Sequence, residues 1–441
     1  MKPVAFAGSF VYDARPMRIG LITWGTEGDV RPFFALAQAL TQRGHTAELE
    51  YASVEDRAFD ALSASCGVTA AAIGGDYFRN NREKLHECAA RSLESASPPA
   101  QFELILRDLM DPVADEILQH ALALAARCDV LVGHILVHPV ATAAAKAGVP
   151  YVAVALQPVF RSKHYPPAGA GDLGRVFNPL LWKIADWVMR RALSPRIAVQ
   201  REALGLAPER FDASRAGPRR PVLLAVSPSL FVRPDDWSEH IAMTGFLTLA
   251  AEESAWRPDA ALGAFLDRGA PVFASFGSMF SLNDDLARTS VRVFVDAARR
   301  AGVRVVVQCA RPIAEGIDPG DDVFFIERAP HGALFPRCSL IVHHGGAGTT
   351  QSALRAGRAS VVVPHAADQF YWGDALYARG VAAKPLLRTR LNAKALAARI
   401  RWALDRPALT ARAEELARDI AREDGLAQTV AAIEALGAKP A

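Results

Sequence analysis

The segment 343–350, His-His-Gly-Gly-Ala-Gly-Thr-Thr, carries the clearest chemical signal in the sequence. It follows a short apolar run that reads as a strand, and it opens a helix. Its glycines, Gly345, Gly346 and Gly348, let the backbone approach a phosphate, and unpaired N–H groups at a helix start favour an anion. An imidazole and the Thr349 hydroxyl can donate further hydrogen bonds, so we predict a metal-free diphosphate site. The alternative, a tight turn whose glycines serve only packing, leaves the paired histidines unexplained.

Two further strand ends carry polar groups. In the segment 364–369, Pro-His-Ala-Ala-Asp-Gln, the Asp368 carboxylate stands beside the Gln369 amide, and the pair can accept from and donate to neighbouring sugar hydroxyls. Asp368 can instead cap the next helix, but its place beyond a phosphate loop favours sugar binding. The segment 275–278, Ser-Phe-Gly-Ser, can present N–H groups and a hydroxyl to phosphate, although this signal is weak by itself.

A carboxylate follows the first strand of the chain. In Gly25-Thr-Glu-Gly-Asp29 it faces the cleft opposite the diphosphate loop, which makes Asp29 the candidate general base for deprotonating an alcohol. The alternative is that Asp29 caps a helix expected to begin at Pro32 and to end at Arg43. We interpret His134 and His138, in the same half of the chain, as structural.

Strands and helices that alternate along the chain must position these residues. The strands expected in the first half are 18–24, 46–51, 129–133, 151–155 and 221–226, and those in the second half are 272–276, 303–308, 323–327, 340–343 and 360–363. Such alternation predicts an α/β protein with two doubly wound, Rossmann-like halves. Because ligands bind beyond the carboxyl ends of strands in such sheets, we expect the site to lie between the halves.

Composition excludes several classes of protein. The formal net charge of +3 is small beside 50 basic and 47 acidic residues, and no long basic run is present, so a nucleic-acid partner is not expected. The five cysteines are scattered and form no Cys-x-x-Cys pair, which fits a reducing cytoplasm and argues against a zinc site. The absence of an Asp-x-Asp sequence argues against a divalent metal, and we expect no cofactor.

Residues 1–16 lack a clear signal-peptide pattern and are read as an extension or an upstream start.

Together the motifs resemble the family-1 glycosyltransferases of the GT-B fold, in particular bacterial members that are similar to sterol glucosyltransferases and rhamnosyltransferases. The resemblance spans nearly the whole chain. It rests on the segments 25–32 and 237–246, and most heavily on 328–331 through 368–373. It implies inverting transfer of a hexose, from UDP-glucose or from a TDP-sugar, to a hydroxyl of a sterol, lipid or polyketide. The nucleotide sugar is then a co-substrate.

The resemblance also implies roles for single residues. It places His343, Gly348 and Thr349 on the diphosphate and Ser278 beside it. It places Asp368 and Gln369 on the donor sugar. The backbone of Ala329 meets the nucleotide base, next to Arg328, where plant relatives carry a stacking Trp. At the position of Asp29 many members have a catalytic His, and others have Asp.

An irregular stretch before the second alternating series, which begins at Pro271, sets a domain division, and the resemblance implies the role of each part. Residues 17–235 form an acceptor-binding domain, 236–260 a linker and 261–422 a nucleotide-sugar-binding domain, and a last helix within 423–441 crosses back to the first domain. For a lipophilic acceptor the candidate pocket residues are Trp24, Phe78, Phe160, Trp182 and Trp187, each of which ordinary core packing also explains. The stretch 182–191 mixes aromatic and basic residues and reads either as a peripheral membrane contact or as a plain surface helix. The oligomeric state stays open.

Three other functions compete with this interpretation. A dehydrogenase would also use Rossmann-like halves, with Glu50 placed to meet a ribose, but the Gly-x-Gly-x-x-Gly fingerprint is missing. A nucleotide-sugar 2-epimerase has the same architecture as the proposed transferase. The third possibility is a protein that binds sugar nucleotides without catalysing a reaction. Analysis of the reaction products distinguishes these functions.

Overall fold

The structure, a computed structural model, describes residues 15–54, 59–94, 98–249, 256–277, 284–365 and 368–437. The first sheet contains β1 (Arg18–Gly25), β2 (Thr46–Ser53), β3 (Thr69–Ala72), β4 (Val130–His134), β5 (Tyr151–Ala155), β6 (Val222–Leu224) and β7 (Ile241–Met243). The second contains β8 (Val272–Ala274), β9 (Val305–Gln308), β10 (Val323–Ile326), β11 (Leu340–His343) and β12 (Ser360–Val362). The stretch 236–260, expected to be a linker, thus holds the last strand of the first sheet.

Helices cover both faces of each sheet. Those of the first half are α1 (Glu27–Gln42), α2 (Asp60–Cys66), α3 (Gly75–Asn80), α4 (Arg82–Glu94), α5 (Pro98–Ile105), α6 (Asp111–Ala125), α7 (His138–Ala147) and α8 (Gly174–Ala203), with a π-helical turn at Leu106–Met110. Those of the second half are α9 (Ala260–Asp267), α10 (Asp284–Ala301), α11 (Arg311–Ala314), α12 (His331–Leu334), α13 (Ala347–Arg355), α14 (Gln369–Ala378), α15 (Ala393–Leu404), α16 (Pro407–Ile420) and α17 (Gly425–Gly437).

Both sheets are parallel, and each reverses its strand order once. The order is β3-β2-β1-β4-β5-β6-β7 in the first sheet and β10-β9-β8-β11-β12 in the second. The reversal lies between β1 and β4 in one sheet and between β8 and β11 in the other. Loops that follow strands at such a point diverge and leave a crevice for a ligand. The segments 25–29 and 343–346 follow β1 and β11, so topology alone brings both predicted loops to these crevices.

The first helix begins earlier than the sequence indicated. We expected α1 to start at Pro32, but it starts at Glu27, so this prediction was wrong. The reason is a capping box: the Thr26 backbone N–H donates to Asp29 Oδ2 over 2.8 Å, and the Asp29 N–H bonds back toward Thr26. Pro32 lies inside the helix, where it removes one intrahelical hydrogen bond.

The last helix packs on the first half of the chain. Val430 and Ile433 of α17 are buried in one core cluster with Phe33 and Phe34 of α1. At the edge of this contact, His45 Nε2 lies 3.1 Å from an oxygen of Glu434. Helix α17 therefore ties the end of the chain to the domain in which the chain begins.

Truncation of a side chain in this contact should destabilise the protein. Ile433→Ala removes a fully buried side chain and leaves a cavity, so we expect the free energy of unfolding to fall by about 2–4 kcal/mol. Urea denaturation followed by circular dichroism measures the loss. Gln428→Ala on the exposed face of the same helix is the control. A loss below about 1 kcal/mol for Ile433→Ala would show that α17 adds little to the fold.

Candidate active site

The loop after β1 holds the Asp29 carboxylate in place. Asp29 Oδ2 accepts from the backbone N–H of Thr26 over 2.8 Å and from its hydroxyl over 3.1 Å. A Cβ atom on Gly25 would lie 2.3 Å from the same oxygen, and Gly25 has a φ of 139°, so glycine is required there. Within the described residues, Oδ1 has no hydrogen-bond partner. The carboxylate therefore caps the helix through Oδ2 alone.

His134 is a neighbour of Asp29 that sequence reasoning set aside. It is the last residue of β4, which pairs with β1 at the reversal of strand order. The Leu136 N–H donates to its Nδ1 over 3.4 Å, so the ring proton sits on Nε2. Burial lowers the pKa of His134, and the charge of Asp29 acts against that shift, which shows that the two groups are close. The position of His134 after a predicted strand was the sequence signal that could have identified it as a site residue.

His138 takes the structural role that we expected. Its Nδ1 lies 3.1 Å from Oε1 of Gln200, on helix α8. Burial lowers the pKa of His138 to about 4, so the ring is neutral at physiological pH. The residue links α7 to α8.

His343 ends β11 and is fully buried. The Gly345 N–H donates to its Nδ1 over 3.1 Å, which places the ring proton on Nε2. Burial lowers the pKa of His343 to about 3, so the ring is a neutral donor. Within the described residues this Nε2–H has no partner, although buried donors are nearly always paired.

The second histidine of the pair, His344, has a packing role that the sequence did not reveal. A Cβ atom on Gly346 would lie 2.4 Å from its Nε2, and one on Gly277 would lie 3.2 Å from its Cε1. The ring therefore lies between the loop after β8 and the start of α13. A Cβ atom on Gly345 would lie 2.9 Å from the Gln369 carbonyl oxygen, so glycine also lets this loop touch the start of α14.

Helix α13 presents an open amino-terminal end. Its N-cap residue is Gly346, which has no side chain to bond the first-turn N–H groups. Gly348 is exposed and Thr349 is half-buried, so this end of the helix is reachable from solvent. Unpaired N–H groups and the helix dipole favour an anion at such a helix end, as the sequence predicted for α13.

Asp368 and Gln369 stand at the start of α14. Asp368 occupies the N-cap position, but its side chain makes no capping hydrogen bond, so capping does not account for it. Burial, and secondly the negative charge of Asp29, raise the pKa of Asp368 to about 7. Asp29, in the other half of the chain, is therefore close enough for its charge to act on Asp368. Gln369 is buried, and its Oε1 accepts from the His365 N–H over 2.8 Å.

Arg328 and Ala329 precede α12 on the same side of the cleft. Arg328 Nη2 lies 3.8 Å from Oε1 of Glu27, at the start of α1 in the other domain. Both side chains are accessible to solvent, so this pair adds little stability, but it marks where the domains meet. Ala329 is half-buried. Ser278 lies outside the described residues.

The aromatic candidates for acceptor binding do not converge on one pocket. Phe78 and Phe160 are fully buried in the core, and Trp24 is nearly so, with its indole N–H donating to the Leu109 carbonyl. Trp182 is buried and donates to the Tyr165 carbonyl over 2.8 Å, whereas Trp187 is exposed. The structure thus places four of the five in packing positions.

Another group of aromatic residues lines an open groove of about 2550 Å³. Phe231 and Trp237 stack there with ring centroids 5.8 Å apart, and Tyr371 of the second domain meets Phe231 from the other side. None of the segment 343–349 lines this groove, which is larger than a typical small-ligand site. The groove runs along the junction of the domains, away from the end of α13.

Comparison with known proteins identifies the class. Residues 19–153 match the glycosyltransferase family 28 N-terminal domain, and residues 294–436 match the erythromycin biosynthesis protein CIII-like C-terminal domain. The O-mycaminosyltylonolide 6-deoxyallosyltransferase of Streptomyces fradiae is 33% identical over 435 residues, which cover 95% of this chain and 97% of that protein. A sterol 3-beta-glucosyltransferase of Arabidopsis thaliana is 27% identical, covering 94% of this chain and 67% of that protein.

A solved structure agrees on the fold. The glycosyltransferase VinC, in a complex with DTDP, has a TM-score of 0.63 and 22% identity and covers 95% of this chain and 99% of its own. The chain belongs to the glycosyltransferase family of these relatives, with the GT-B fold, and it is an enzyme of that class. The family and fold that the motifs indicated are confirmed. Within the described residues, no helix is long and apolar enough to cross a membrane.

The raised pKa of Asp368 predicts a pH-dependent stability. Between about pH 4 and pH 7 the folded state keeps a proton on Asp368 that the unfolded state has lost, so this residue makes stability fall as pH rises. Asp368→Asn removes the effect and should raise the Tm at pH 8 by roughly 2–4 °C, with a smaller gain at pH 5. Calorimetry at the two pH values measures it. The exposed Asp405→Asn is the control, and an equal gain at both pH values would exclude Asp368 as the source.

Proposed function

We propose that this enzyme transfers a hexose, with inversion and without a metal ion, from a nucleotide diphosphate sugar to a hydroxyl group of a lipophilic small molecule. The acceptor oxygen attacks the anomeric carbon as its proton passes to Asp29. The bond from that carbon to the diphosphate oxygen breaks at the same time, and the nucleotide diphosphate leaves. A single displacement inverts the anomeric configuration.

The observation that carries the proposal is that Asp29 and Asp368, from the two halves of the chain, lie close enough for the charge of one to act on the other. Asp29 belongs to the first domain, and its Oδ1 has no hydrogen-bond partner among the described residues. Asp368 belongs to the second domain, and its side chain makes no capping hydrogen bond. A sugar held by Asp368 and the neighbouring Gln369 would thus lie opposite a proton acceptor. General bases need this hydrogen-bond reach to the attacking oxygen.

The leaving diphosphate would bind at the end of α13. The first-turn N–H groups of Gly348 and Thr349, and the helix dipole, would stabilise its negative charge without a metal ion. The unpaired Nε2–H of His343 lies beside this end and is a further donor. The resemblance adds Ser278 and the backbone of Ala329, which follows Arg328, to the proposed donor site. In this scheme residues 17–235 bind the acceptor and residues 261–422 bind the donor.

The relatives narrow the substrate classes. One relative is named for transfer to O-mycaminosyltylonolide, another is named for transfer to sterols, and VinC was solved in a complex with DTDP. We therefore propose a polyketide or sterol-like acceptor. For the donor we propose a TDP-sugar beside the UDP-glucose that the motifs favoured. Both share the diphosphate that α13 would hold.

Product analysis tests the proposal. The purified protein is incubated with UDP-glucose or TDP-glucose and with sterol, lipid and polyketide alcohols, and products are followed by mass spectrometry. The proposal expects a hexosyl adduct of one acceptor class, with the opposite anomeric configuration by NMR. An isomerised nucleotide sugar without an adduct would identify an epimerase. Nucleotide binding with no turnover across the panel would identify a binding protein.

A further inference from the structure

One face of helix α8 exposes a continuous row of apolar side chains, which we call the α8 stripe. Each is between 56% and 80% exposed, and they follow one another at helical spacing: Leu173, Val176, Phe177, Leu180, Ile184 and Trp187. Residues three, four and seven apart lie on the same side of a helix, so the stripe is one surface about 20 Å long. It holds six of the ten exposed large apolar side chains in the described part of the chain.

Packing within the chain does not account for the stripe. The opposite face of α8 holds the helix on the domain, since Trp182, Leu193 and Ile197 are buried. The indole N–H of Trp182 also donates to the Tyr165 carbonyl over 2.8 Å. The helix is thus anchored through one face and leaves a second apolar face in water. Contiguous exposed apolar surface of this kind marks an interaction site.

The charges along the stripe are basic. Residues 161–191 contain six Lys and Arg residues against two Asp residues, whereas the whole chain is nearly balanced at 50 against 47. Three of the six are paired with aspartates: Arg161 with Asp186 and Asp212, Lys163 with Asp235, and Arg190 with Asp212.

Of the other three, Arg175 Nη2 donates to His164 Nδ1 over 2.8 Å, and Lys183 and Arg191 lie at the stripe itself. Lys183 is exposed beside Ile184, and the Arg191 guanidinium lies over the Trp187 ring, 5.8 Å from its centroid. Neither has an acidic partner among the described residues. The second acidic residue, Asp172, accepts hydrogen bonds from the Gly174 N–H and from Asn178. Asp172 contributes one negative charge, against three positive charges on Arg175, Lys183 and Arg191, so the net charge at the stripe is positive.

We propose that the α8 stripe docks on an anionic lipid surface. Helices that lie on membranes combine an apolar face containing Trp, Phe and Leu with Lys and Arg at its border. Trp187 and Arg191 suit the interface, where an indole ring and a long basic side chain reach both apolar and polar layers. A second copy fits less well, because a symmetric contact would set two surfaces of the same net positive charge against each other. The inference does not depend on the identity of the sugar or the acceptor.

Vesicle co-sedimentation of the full chain tests this inference. The wild type should bind phosphatidylcholine vesicles that contain phosphatidylglycerol, and more weakly those of phosphatidylcholine alone. Leu180→Glu should lower the partition coefficient by about tenfold or more. Lys183→Gln with Arg191→Gln should lower it by roughly 25-fold on anionic vesicles only, at about fivefold for each charge. Leu387→Glu changes an exposed apolar residue of the other domain and should leave binding unchanged.

Two outcomes would overturn the inference. In the first, the wild type does not bind anionic vesicles, or the stripe variants bind them as well as the wild type does. In the second, analytical ultracentrifugation shows that the wild type is a dimer and that Leu180→Glu dissociates it. A second copy of the chain would then cover the stripe. Circular dichroism confirms that each variant is folded. Vesicle binding is measured without substrate, so failure here leaves the proposed transfer reaction untouched.

Discussion

Asp29→Asn is expected to lower kcat by about 10³-fold while leaving the affinity for TDP or UDP within about twofold. A positioned general base contributes typically 10²–10⁴-fold, and an amide cannot take a proton from the acceptor alcohol. Asn is chosen because its side-chain oxygen can still accept the Thr26 N–H bond that caps α1. Steady-state kinetics with a reactive acceptor gives kcat, and calorimetry gives the nucleotide affinity.

The control for this variant is Asp60→Asn, which changes a carboxylate in the first turn of α2 in the same domain. It should keep both kcat and nucleotide affinity. Wild-type turnover by Asp29→Asn would remove Asp29 as the base, and His134 would then be the next residue to test. A loss of nucleotide binding in Asp29→Asn would show instead that the change disturbs the donor half.

Gly348→Asp is expected to weaken the binding of TDP and UDP by about a hundredfold. A Cβ atom at this position meets nothing within 4 Å, and an acidic residue in the first turn of a helix favours folding. The new carboxylate would lie near the diphosphate. Two like charges about 5 Å apart repel by roughly 3 kcal/mol at an effective dielectric constant of about 20, which corresponds to roughly a hundredfold in affinity.

The matched control is Gly263→Asp in helix α9 of the same domain, where an added Cβ atom also meets nothing within 4 Å. It should bind the nucleotide as the wild type does. Calorimetric titration of both variants provides the comparison. Unchanged affinity in Gly348→Asp would place the diphosphate away from α13.

Much of the fold could be predicted from local pattern. The central strands are runs of Val, Ile, Leu and Ala buried on both faces, as parallel sheets require, and their positions agree with the sequence to within a few residues. The edge strands could not be predicted in this way. Thr69–Ala72 is a mostly exposed run, and Ile241–Met243 has three residues, so both depend on pairing with a neighbouring strand.

The same distinction applies to the site, where local features could be predicted and contacts between distant segments could not. Glycines and polar residues at strand ends identified the loops at His343 and Asp368, because backbone approach and strand-end position are local properties. The neighbours of those loops depend on strand order, which is not local. His134 meets Asp29 only because β4 pairs with β1, and His344 packs on Gly277 only because β11 pairs with β8.

Aromatic residues were the least informative. Phe160 and Trp237 are both apolar residues in irregular stretches of the sequence. Both are buried in one core cluster, but Trp237 also lines the groove between the domains. Hydrophobicity reports that a side chain avoids water and does not distinguish a core from a pocket. Acceptor residues therefore could not be assigned from the sequence.

A crystal structure of the protein with TDP most directly tests the central claim that the end of α13 holds the diphosphate opposite Asp29. We predict phosphate oxygens at about 2.7–3.2 Å from first-turn N–H groups between Ala347 and Thr349, on the side of the cleft that faces Asp29. A nucleotide bound elsewhere, or a protein side chain closing that helix end while TDP is present, would contradict the account.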